Sequence, residues 1–396
     1  MKTQVLSDRI NNLTTSQTLA MAAKARELKE QGIDIISLSL GEPDFNTPDF
    51  IKEAAIQAIK DNYSKYPPVE GYAELRQAIS NKFKRDNNLH YTANQIVVST
   101  GAKQALFNVA QAMINPGDEV IIPAPFWVSY AEIVKIAEGI PVEVSTTIDT
   151  DFKITAQQLE DAITPQTKMV WFSSPCNPSG SVYSKTELEA IAAVLERYPS
   201  IYILSDEIYE HINFGSAYCS IGSIGNLIDR TITVNGISKA FAMTGYRIGY
   251  IGAPEFIAKA CAKMQGQVTS GANTIAQRAT ITAVNADPSV LKDMVHAFKN
   301  RRDLVVNLLR EIPGVKVNVP DGAFYLFPDV SSFFGKTLQG VTINNANDLS
   351  MYLLDKAYVA TVTGDAFGNP NCIRLSYATS EDQLIEALKR MKEALK

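Results

Sequence analysis

The sequence predicts an α/β fold built on a mainly parallel sheet, with a second, smaller α/β domain. From about residue 95 to residue 252, short β-branched runs alternate with helix-like segments, which is the pattern of parallel strands joined by helical crossovers. Several of these runs end in small or polar residues, and ligands of open α/β sheets bind at such strand ends. The chain has 396 residues, 46% of them hydrophobic, which is enough for a large core and two domains.

Composition argues against several classes of protein. The net charge of −5 offers no basic face for nucleic acid or anionic lipid. The four cysteines are scattered, so neither a disulfide framework nor a zinc site is indicated, and a reducing cytoplasm fits. The N-terminal stretch lacks the apolar region of a signal peptide, and no apolar run approaches the ~18 residues of a membrane span. Three histidines leave little material for histidine-based metal or triad chemistry, so we expect no metal site. The net charge and the missing apolar run lead us to expect no nucleic acid and no membrane contact.

The N-terminal elements follow from local patterns. Residues 1–15 are polar and aperiodic, which predicts an arm. Residues 18–32 predict a helix that ends at a glycine, and residues 33–40 predict a strand. This strand runs into the turn Gly41-Glu42-Pro43-Asp44, after which a further helix is expected from residue 48.

A candidate anion site follows the strand predicted at 96–100. Gly101, Ala102 and Lys103 come next, and a helix begins there. Backbone N–H groups and the helix dipole at such a junction attract a phosphate, although many α/β turns look alike. The chain contains neither GxGxxG nor GxxxxGK[ST], so a dinucleotide or a nucleoside triphosphate is not favoured.

Three further runs predict buried strands that end in polar residues. A strand and proline turn at 119–130 contain Trp127, and a strand and turn at 168–180 contain Asn177. The segment 201–212 begins with a strand that runs into Asp206, with Tyr209 three residues further on. Taken alone, Trp127 fits a core residue and Asn177 fits a turn or helix cap. Asp206 fits either a helix cap or a site residue at the strand end.

The segment 235–252, NGISKAFAMTGYRIGYIG, combines one lysine in apolar surroundings with an arginine, hydroxyls and glycines. Small residues and an arginine suit a phosphate that the backbone approaches closely. Lys239, with a reference pKa of ~10.4, would become a nucleophilic amine in a partly dry pocket near other cations. The alternative is a surface loop that carries a single lysine.

The C-terminal third predicts a second α/β unit. Asp287-Pro288 opens a long helix with proline at its first position, a strand follows at 322–330, and an amphipathic helix ends the chain. Arg374 lies in the alternating run CIRLSYA, where an arginine could also face solvent.

The segment from Ser238 to Gly249 resembles the S-K-x-x-x-M-x-G-x-R-x-G signature of the fold type I pyridoxal-phosphate aminotransferases of class I, and most closely their bacterial aspartate aminotransferase branch. The similarity runs from about residue 6 to the C-terminus. It implies a large cofactor domain at 48–290 with a seven-stranded type of sheet, a small domain from 16–47 and 291–396, and an arm at 1–15. It also implies pyridoxal 5′-phosphate, carried covalently by Lys239, which then moves the substrate proton.

The resemblance implies partners for the cofactor ring. Asp206 keeps the ring nitrogen protonated, Tyr209 and Asn177 donate to the phenolic oxygen, and Trp127 stacks on the ring. Lys239, Asp206 and Tyr209 are thus the catalytic candidates. The turn at Asn177 matches the family text N-P-x-N-P-[ST]-G, except that a serine replaces its first asparagine.

The resemblance also implies phosphate and substrate contacts. The phosphate is held by a shared set of small, hydroxyl and cationic residues, namely Gly101, Ala102, Lys103, Ser238, Arg247 and Tyr66 of the partner subunit. Tyr66 opens the pattern Y-x-x-x-x-G-x-x-E-L-R, which implies a homodimer with shared active sites. The substrate is bordered by Gly41, Trp127, Asn177 and Arg374, with Arg374 binding the α-carboxylate as a bidentate fork.

The implied reaction moves an amino group between L-aspartate and 2-oxoglutarate, giving oxaloacetate and L-glutamate. Alternatives on the same scaffold are an aromatic or prephenate-type aminotransferase and a β-lyase. A non-catalytic cofactor-binding module of a transcription regulator would need an added DNA-binding domain. No second arginine for a distal carboxylate is evident, and the candidate substitutes are hydroxyls, either Thr14, Thr15 and Ser16 or Thr269 and Ser270 of the partner subunit.

Overall fold

A seven-stranded sheet forms the centre of the structure, a computed structural model that describes residues 5–215 and 217–396. The strands, in chain order, are β1 (Ile36–Ser37), β2 (Ile96–Thr100), β3 (Glu119–Ala124), β4 (Ile140–Ser145), β5 (Thr167–Ser173), β6 (Tyr202–Asp206), β7 (Thr231–Gly236), β8 (Ile248–Gly252), β9 (Tyr325–Leu326), β10 (Lys336–Leu338), β11 (Val341–Ile343), β12 (Val359–Ala360), β13 (Val362–Thr363) and β14 (Ile373–Ser376).

The order in the large sheet is β2-β8-β7-β6-β5-β3-β4. Every strand runs in one direction except β8, which is antiparallel to both of its neighbours. The mainly parallel seven-stranded sheet is therefore confirmed. Because the strands are parallel, the carboxyl ends of β5, β6 and β7 lie along one edge, and polar residues placed there can converge on one site.

Helices connect and cover the strands. In chain order they are α1 (Asp8–Asn11), α2 (Gln17–Glu30), α3 (Asp49–Lys60), α4 (Ala73–Asn87), α5 (Ala102–Met113), α6 (Ser129–Ile136), α7 (Ala156–Ala162), α8 (Lys185–Glu196), α9 (Glu255–Val268), α10 (Thr274–Asn285), α11 (Lys292–Arg310), α12 (Ala346–Tyr352) and α13 (Glu381–Ala394).

The core lies on both faces of the sheet because the strands are apolar on both sides. On one face Leu204 packs in a cluster with α5, α6 and α9. On the other face Ile203 packs in a cluster with α7 and α8, while β2 and β8 are covered by α3, α4 and α10. Strands that are buried on both faces have nearly continuous apolar runs, which is why β5 and β6 are readily recognised in the sequence.

The two ends of the chain meet in a second structural region. β1 pairs in parallel with β12, and β14 lies between β13 and β9 in a small antiparallel sheet. Met21 and Ala25 of α2 pack with Leu354 and Ala360 in one hydrophobic cluster. This arrangement agrees with a small domain built from both termini, and the boundaries drawn at 48 and 290 stay a prediction.

Several elements differ from the expected ones. The strand predicted at 33–40 is only β1, because the carbonyl groups that follow it accept side-chain hydrogen bonds from Arg374 and Lys239. The strand predicted at 322–330 is only β9, since the backbone N–H of Gly322 bonds to the carbonyl of Gly180 in another loop. The predicted arm contains the single helical turn α1, and residues 1–4 lie outside the described residues. Within the described ranges, no helix is both long and apolar enough to cross a bilayer.

Candidate active site

A cavity of about 270 Å³ opens at the carboxyl edge of the parallel strands. It gathers most of the predicted site residues, which come from loops far apart in the sequence. Those lining it are Gly41, Ala102, Lys103, Trp127, Asn177, Asp206, Tyr209, Ser238, Lys239, Arg247 and Arg374. Gly101 adjoins this group, since a Cβ built on it would lie 2.4 Å from Nη2 of Arg247.

Lys239 lies in the loop after β7, and its amine points into the cavity. Its Nζ donates to the carbonyl oxygen of Gly41 at 2.6 Å. Burial lowers the pKa of Lys239 to about 8, and the positive charges of Arg374 and Arg247 act in the same direction, whereas Glu42 and Asp206 oppose them. An amine with this pKa is available as a nucleophile and as a base close to neutral pH.

Asp206 ends β6 and is held by two donors. The Tyr130 hydroxyl donates to its Oδ2 at 2.7 Å, and the backbone N–H of Ile208 donates to its Oδ1 at 3.2 Å. Burial raises the pKa of Asp206, while these hydrogen bonds and the charge of Lys239 counter that rise. A buried carboxylate with a fixed orientation can bind a protonated ring nitrogen and keep its proton in place.

Arg374 is almost fully buried and carries a guanidinium without a carboxylate partner among the described residues. Its Nη1 donates to Asn177 Oδ1 at 3.0 Å and its Nη2 donates to the carbonyl of Ser39 at 2.5 Å. Its Nε has no hydrogen-bond partner in the described part of the chain. A buried cation satisfied only by neutral groups is suited to an anion such as a carboxylate.

The start of α5 forms an open cradle for an anion. Gly101 has φ +81° and precedes the first helical residue, Ala102. A Cβ on Gly249 of β8 would lie 2.1 Å from the backbone nitrogen of Ala102, so glycine is required for this close approach. Arg247, itself at φ +56°, completes the cradle, and Lys103 places its Nζ 4.7 Å from the Trp127 ring. The helix N-terminus and the Arg247 guanidinium together favour a phosphate.

Tyr66 does not reach the cavity of its own chain. Its side chain is 95% exposed and it does not line the cavity. The resemblance assigns Tyr66 to the active site of a partner subunit, and that role remains untested.

Two tyrosines of the cavity lie outside the predicted set. Tyr130 holds Asp206, and Tyr325 contacts both Tyr209 and Arg374. Tyr130 follows Trp127 by three residues, the spacing of one helical turn, so it was recoverable from the sequence as a neighbour of the stacking candidate. Tyr325 carried no comparable local signal.

The fold and the cavity define an α/β enzyme that can hold a phosphate-bearing ring beside a reactive lysine. Residues 33–391 match the family model described as aminotransferase class I and II. The chain therefore belongs to the aminotransferase class I and II family. This family uses pyridoxal phosphate, so the predicted fold type, reaction class and cofactor are confirmed.

Two curated relatives illustrate the similarity. The chain is 49% identical over 394 residues to an aspartate/prephenate aminotransferase of Nitrosomonas europaea, covering 98% of this chain and 99% of the relative. It is 47% identical over 395 residues to a bifunctional aspartate aminotransferase and glutamate/aspartate-prephenate aminotransferase of Petunia hybrida, covering 98% and 82%.

Solved structures are equally similar. The aspartate aminotransferase of Rhizobium meliloti superposes with a TM-score of 0.95 at 45% identity, covering 98% of both chains. The aspartate aminotransferase of Thermus thermophilus with maleate gives a TM-score of 0.93 at 42% identity, covering 98% of this chain and 99% of the other.

The cavity fits pyridoxal phosphate. The cradle that Gly101 and Gly249 leave open accommodates a phosphate, and Asp206 presents a buried, oriented carboxylate to a ring nitrogen. Lys239 offers an amine with a lowered pKa to an aldehyde. These are the chemical groups that the cofactor requires.

Gly249→Ala should weaken cofactor binding by about tenfold or more, or ~1.4 kcal/mol, because its Cβ would push against the backbone at Ala102. The matched control is Gly245→Ala, since a Cβ at Gly245 meets nothing within 4 Å. Titration of cofactor-free protein with pyridoxal phosphate, followed by visible absorbance, measures the difference. Equal affinities of the two variants would show that the close approach does not support the phosphate site.

Proposed function

We propose that the chain transfers the amino group of L-aspartate to 2-oxoglutarate, giving oxaloacetate and L-glutamate, with pyridoxal phosphate held by Lys239. The observation that carries this proposal is the set of cations in the cavity. Four line it, Lys103, Lys239, Arg247 and Arg374. With Lys239 assigned to the chemistry and Arg247 to the phosphate cradle, Arg374 and Lys103 remain for a substrate with two carboxylates.

We assign the cofactor contacts as follows. Backbone and side chains at Gly101, Ala102, Ser238 and Arg247 hold the phosphate. Trp127 covers the ring, and Tyr209 and Asn177 donate to the phenolic oxygen. Asp206 keeps the ring nitrogen protonated, and Tyr130 and the Ile208 N–H hold Asp206 in that orientation. Bound in this way, pyridoxal phosphate supplies an electron sink for the electron pair released when the substrate Cα–H bond breaks.

Lys239 moves the substrate proton. With pyridoxal phosphate bound, the Lys239 Nζ would be the base that takes up the proton from the substrate Cα and gives it back later in the transfer. Its pKa of about 8 lies close to the pH at which such a base works best. The carbonyl of Gly41, 2.6 Å from Nζ, keeps the amine at the cavity wall.

Arg374 orients the substrate. Its guanidinium binds the α-carboxylate, and Gly41 borders the same position. A fixed carboxylate holds the Cα–H bond perpendicular to the ring, which is the geometry in which the bond breaks most easily. The same contact serves both half-reactions, since aspartate and 2-oxoglutarate each carry an α-carboxylate.

Lys103 supplies the positive charge for the distal carboxylate of the substrate. The resemblance instead implies a contact between Lys103 and the cofactor phosphate. Burial and the charge of Arg247 lower the pKa of Lys103, and in the described part of the chain no carboxylate lies within 4 Å of its Nζ. A distal carboxylate would relieve this unpaired charge. Ser16 and Thr18 also line the cavity, with the Thr18 hydroxyl buried and unpartnered, whereas Thr14 and Thr15 line a neighbouring cavity.

We also propose a cytoplasmic homodimer. The side chains of Tyr66 and of Phe50, Ile56 and Ile59 of α3 are exposed large hydrophobic groups, and a partner subunit would cover them. In the dimer, Tyr66 of the partner subunit reaches the phosphate. The four cysteines are free thiols, which supports a reducing compartment.

A second candidate is amino transfer to or from aromatic or prephenate-type acids. Two observations favour it. Leu19, Leu40 and Trp127 give the cavity apolar walls, and the second cation is a flexible lysine in place of a rigid arginine fork. The names of relatives include prephenate. Both activities can share one site if Lys103 turns away from an apolar side chain.

Lys103→Met should lower kcat/KM for aspartate by about 100-fold, or ~2.7 kcal/mol, because the distal carboxylate loses its cation. The value for phenylalanine should change by less than about threefold. Lys135→Met, outside the cavity, is the control. If kcat/KM fell equally for both substrates and cofactor binding weakened, Lys103 would instead be a contact of the cofactor phosphate. Wild-type kcat/KM for aspartate about tenfold below that for phenylalanine would overturn the aspartate assignment.

Mixed dimers test the shared site. Lys239→Ala and Tyr66→Leu subunits are combined in equal amounts. Half of the dimers are then mixed, and each mixed dimer has one intact site, so about a quarter of wild-type activity should return. No activity above the parent variants would mean that Tyr66 acts within its own chain or not at all.

A further inference from the structure

Tyr325 is a buried residue of β9 that makes three separate contacts in the cavity. Its Oη lies 2.7 Å from the Oη of Tyr209. The Arg374 guanidinium lies over its ring at 4.7 Å from the centroid. Its hydroxyl also fills the space beside Gly41, where an added Cβ would lie 2.2 Å from Oη. Tyr325 therefore touches one residue assigned to the cofactor and two assigned to the substrate.

Strand pairing fixes this position. Tyr325 pairs with Ser376 in the antiparallel ladder between β9 and β14. Arg374 lies two residues before Ser376 and thus on the same face, as a diagonal neighbour of Tyr325. Phe324 also packs against Tyr209, with the two ring centroids 5.4 Å apart. The ladder therefore fixes the backbone of Tyr325 beside that of Arg374.

We propose that Tyr325 is a positioning residue that couples the substrate-carboxylate grip of Arg374 to the cofactor contact of Tyr209. The ring face holds the guanidinium in place, and the hydroxyl orients the Tyr209 hydroxyl. This inference rests on the proposed function, in which Tyr209 donates to the phenolic oxygen of the cofactor. With the Tyr209 proton directed there, Tyr325 must be the donor to the Tyr209 oxygen.

The coupling has a direction. A hydroxyl that accepts a hydrogen bond becomes a stronger donor, because hydrogen bonds in a chain polarise one another. Tyr325 thus strengthens the donation from Tyr209 to the phenolic oxygen and withdraws negative charge from it. Negative charge on the phenolic oxygen favours the protonated form of the Lys239 nitrogen that is bonded to the cofactor. Removing the Tyr325 hydroxyl should therefore make this nitrogen harder to deprotonate.

The first test is a pH titration of the visible absorption of the cofactor-loaded enzyme. In Tyr325→Phe the midpoint should move upward by at least about 0.3 unit. In a Tyr209→Phe background the same substitution should leave the midpoint unchanged, because Tyr325 acts on the cofactor through the Tyr209 hydroxyl. The proposed coupling through Tyr209 would be overturned by either of two results. The Tyr325→Phe midpoint could equal that of the wild type, or the substitution could shift the midpoint equally in both backgrounds.

The second test separates the ring from the hydroxyl by the affinity for succinate, a dicarboxylate without an amino group. Tyr325→Phe keeps the ring and should bind succinate within about twofold of the wild type, whereas Tyr325→Leu should bind about fivefold more weakly. Thermal unfolding of the cofactor-free variants identifies any general loss of structure. Equal succinate affinities for the leucine and phenylalanine variants, with both folded, would overturn the support of Arg374.

The third test uses the space beside Gly41. Gly41→Ala places a Cβ against the Tyr325 hydroxyl and should weaken succinate binding. Once that hydroxyl is removed, the nearest atom is Cζ at 3.2 Å, so the Gly41→Ala, Tyr325→Phe double variant should regain part of the lost affinity. No recovery would show that Tyr325 does not set this contact. A wild-type protein without a titrating visible band would instead contradict the proposed function itself.

Discussion

The site depends on the burial of one amine beside two guanidinium groups. Lys239 has its pKa lowered to about 8 by burial, with Arg374 and Arg247 acting in the same direction. Two cations this close to an amine are unfavourable unless each binds an anion. In the proposed function, Arg247 binds the cofactor phosphate and Arg374 binds the substrate carboxylate. Anions bound at these two positions would neutralise part of the positive charge around Lys239, so burial would remain the main cause that holds its pKa below the ordinary value.

The architecture brings these charges together from opposite ends of the chain. The carbonyls of Ser39 and Gly41 accept hydrogen bonds from Arg374 and Lys239, and the backbone N–H of Ser376 donates to Leu38 at 2.8 Å. The N-terminal segment is thus fixed both to β14 and to the loop after β7. A shift of this segment would change the carboxylate site and the lysine together.

The parts of the fold that were predictable are those with strong local patterns. The strands that end at Thr100 and Asp206 are long apolar runs followed by polar residues, and the structure has them at those positions. β1 and β9 have two residues each, and such short strands form only where a distant partner is present. Side-chain hydrogen bonds to the carbonyls after β1 replace the longer ladder that its apolar pattern suggests.

The site was predictable to a similar extent. A strand end or a signature motif identifies Asp206 and Lys239, because those signals are local. Tyr325 meets Arg374 only through the register of β9 on β14, and no local pattern carries that information. The position of Tyr130 near Trp127 was recoverable, but its hydrogen bond to Asp206 depends on the orientation of α6. Tyr66 remains a prediction, since its environment in a dimer involves a second chain.

In the proposed function, Lys239 carries the cofactor. The most direct measurement is borohydride reduction of the enzyme loaded with pyridoxal phosphate, followed by proteolysis and mass spectrometry of the labelled peptides. We expect a single stable phosphopyridoxyl group on Lys239 and no such label in a Lys239→Ala variant. Stoichiometric label on Lys103 or another lysine of the wild-type protein would contradict it.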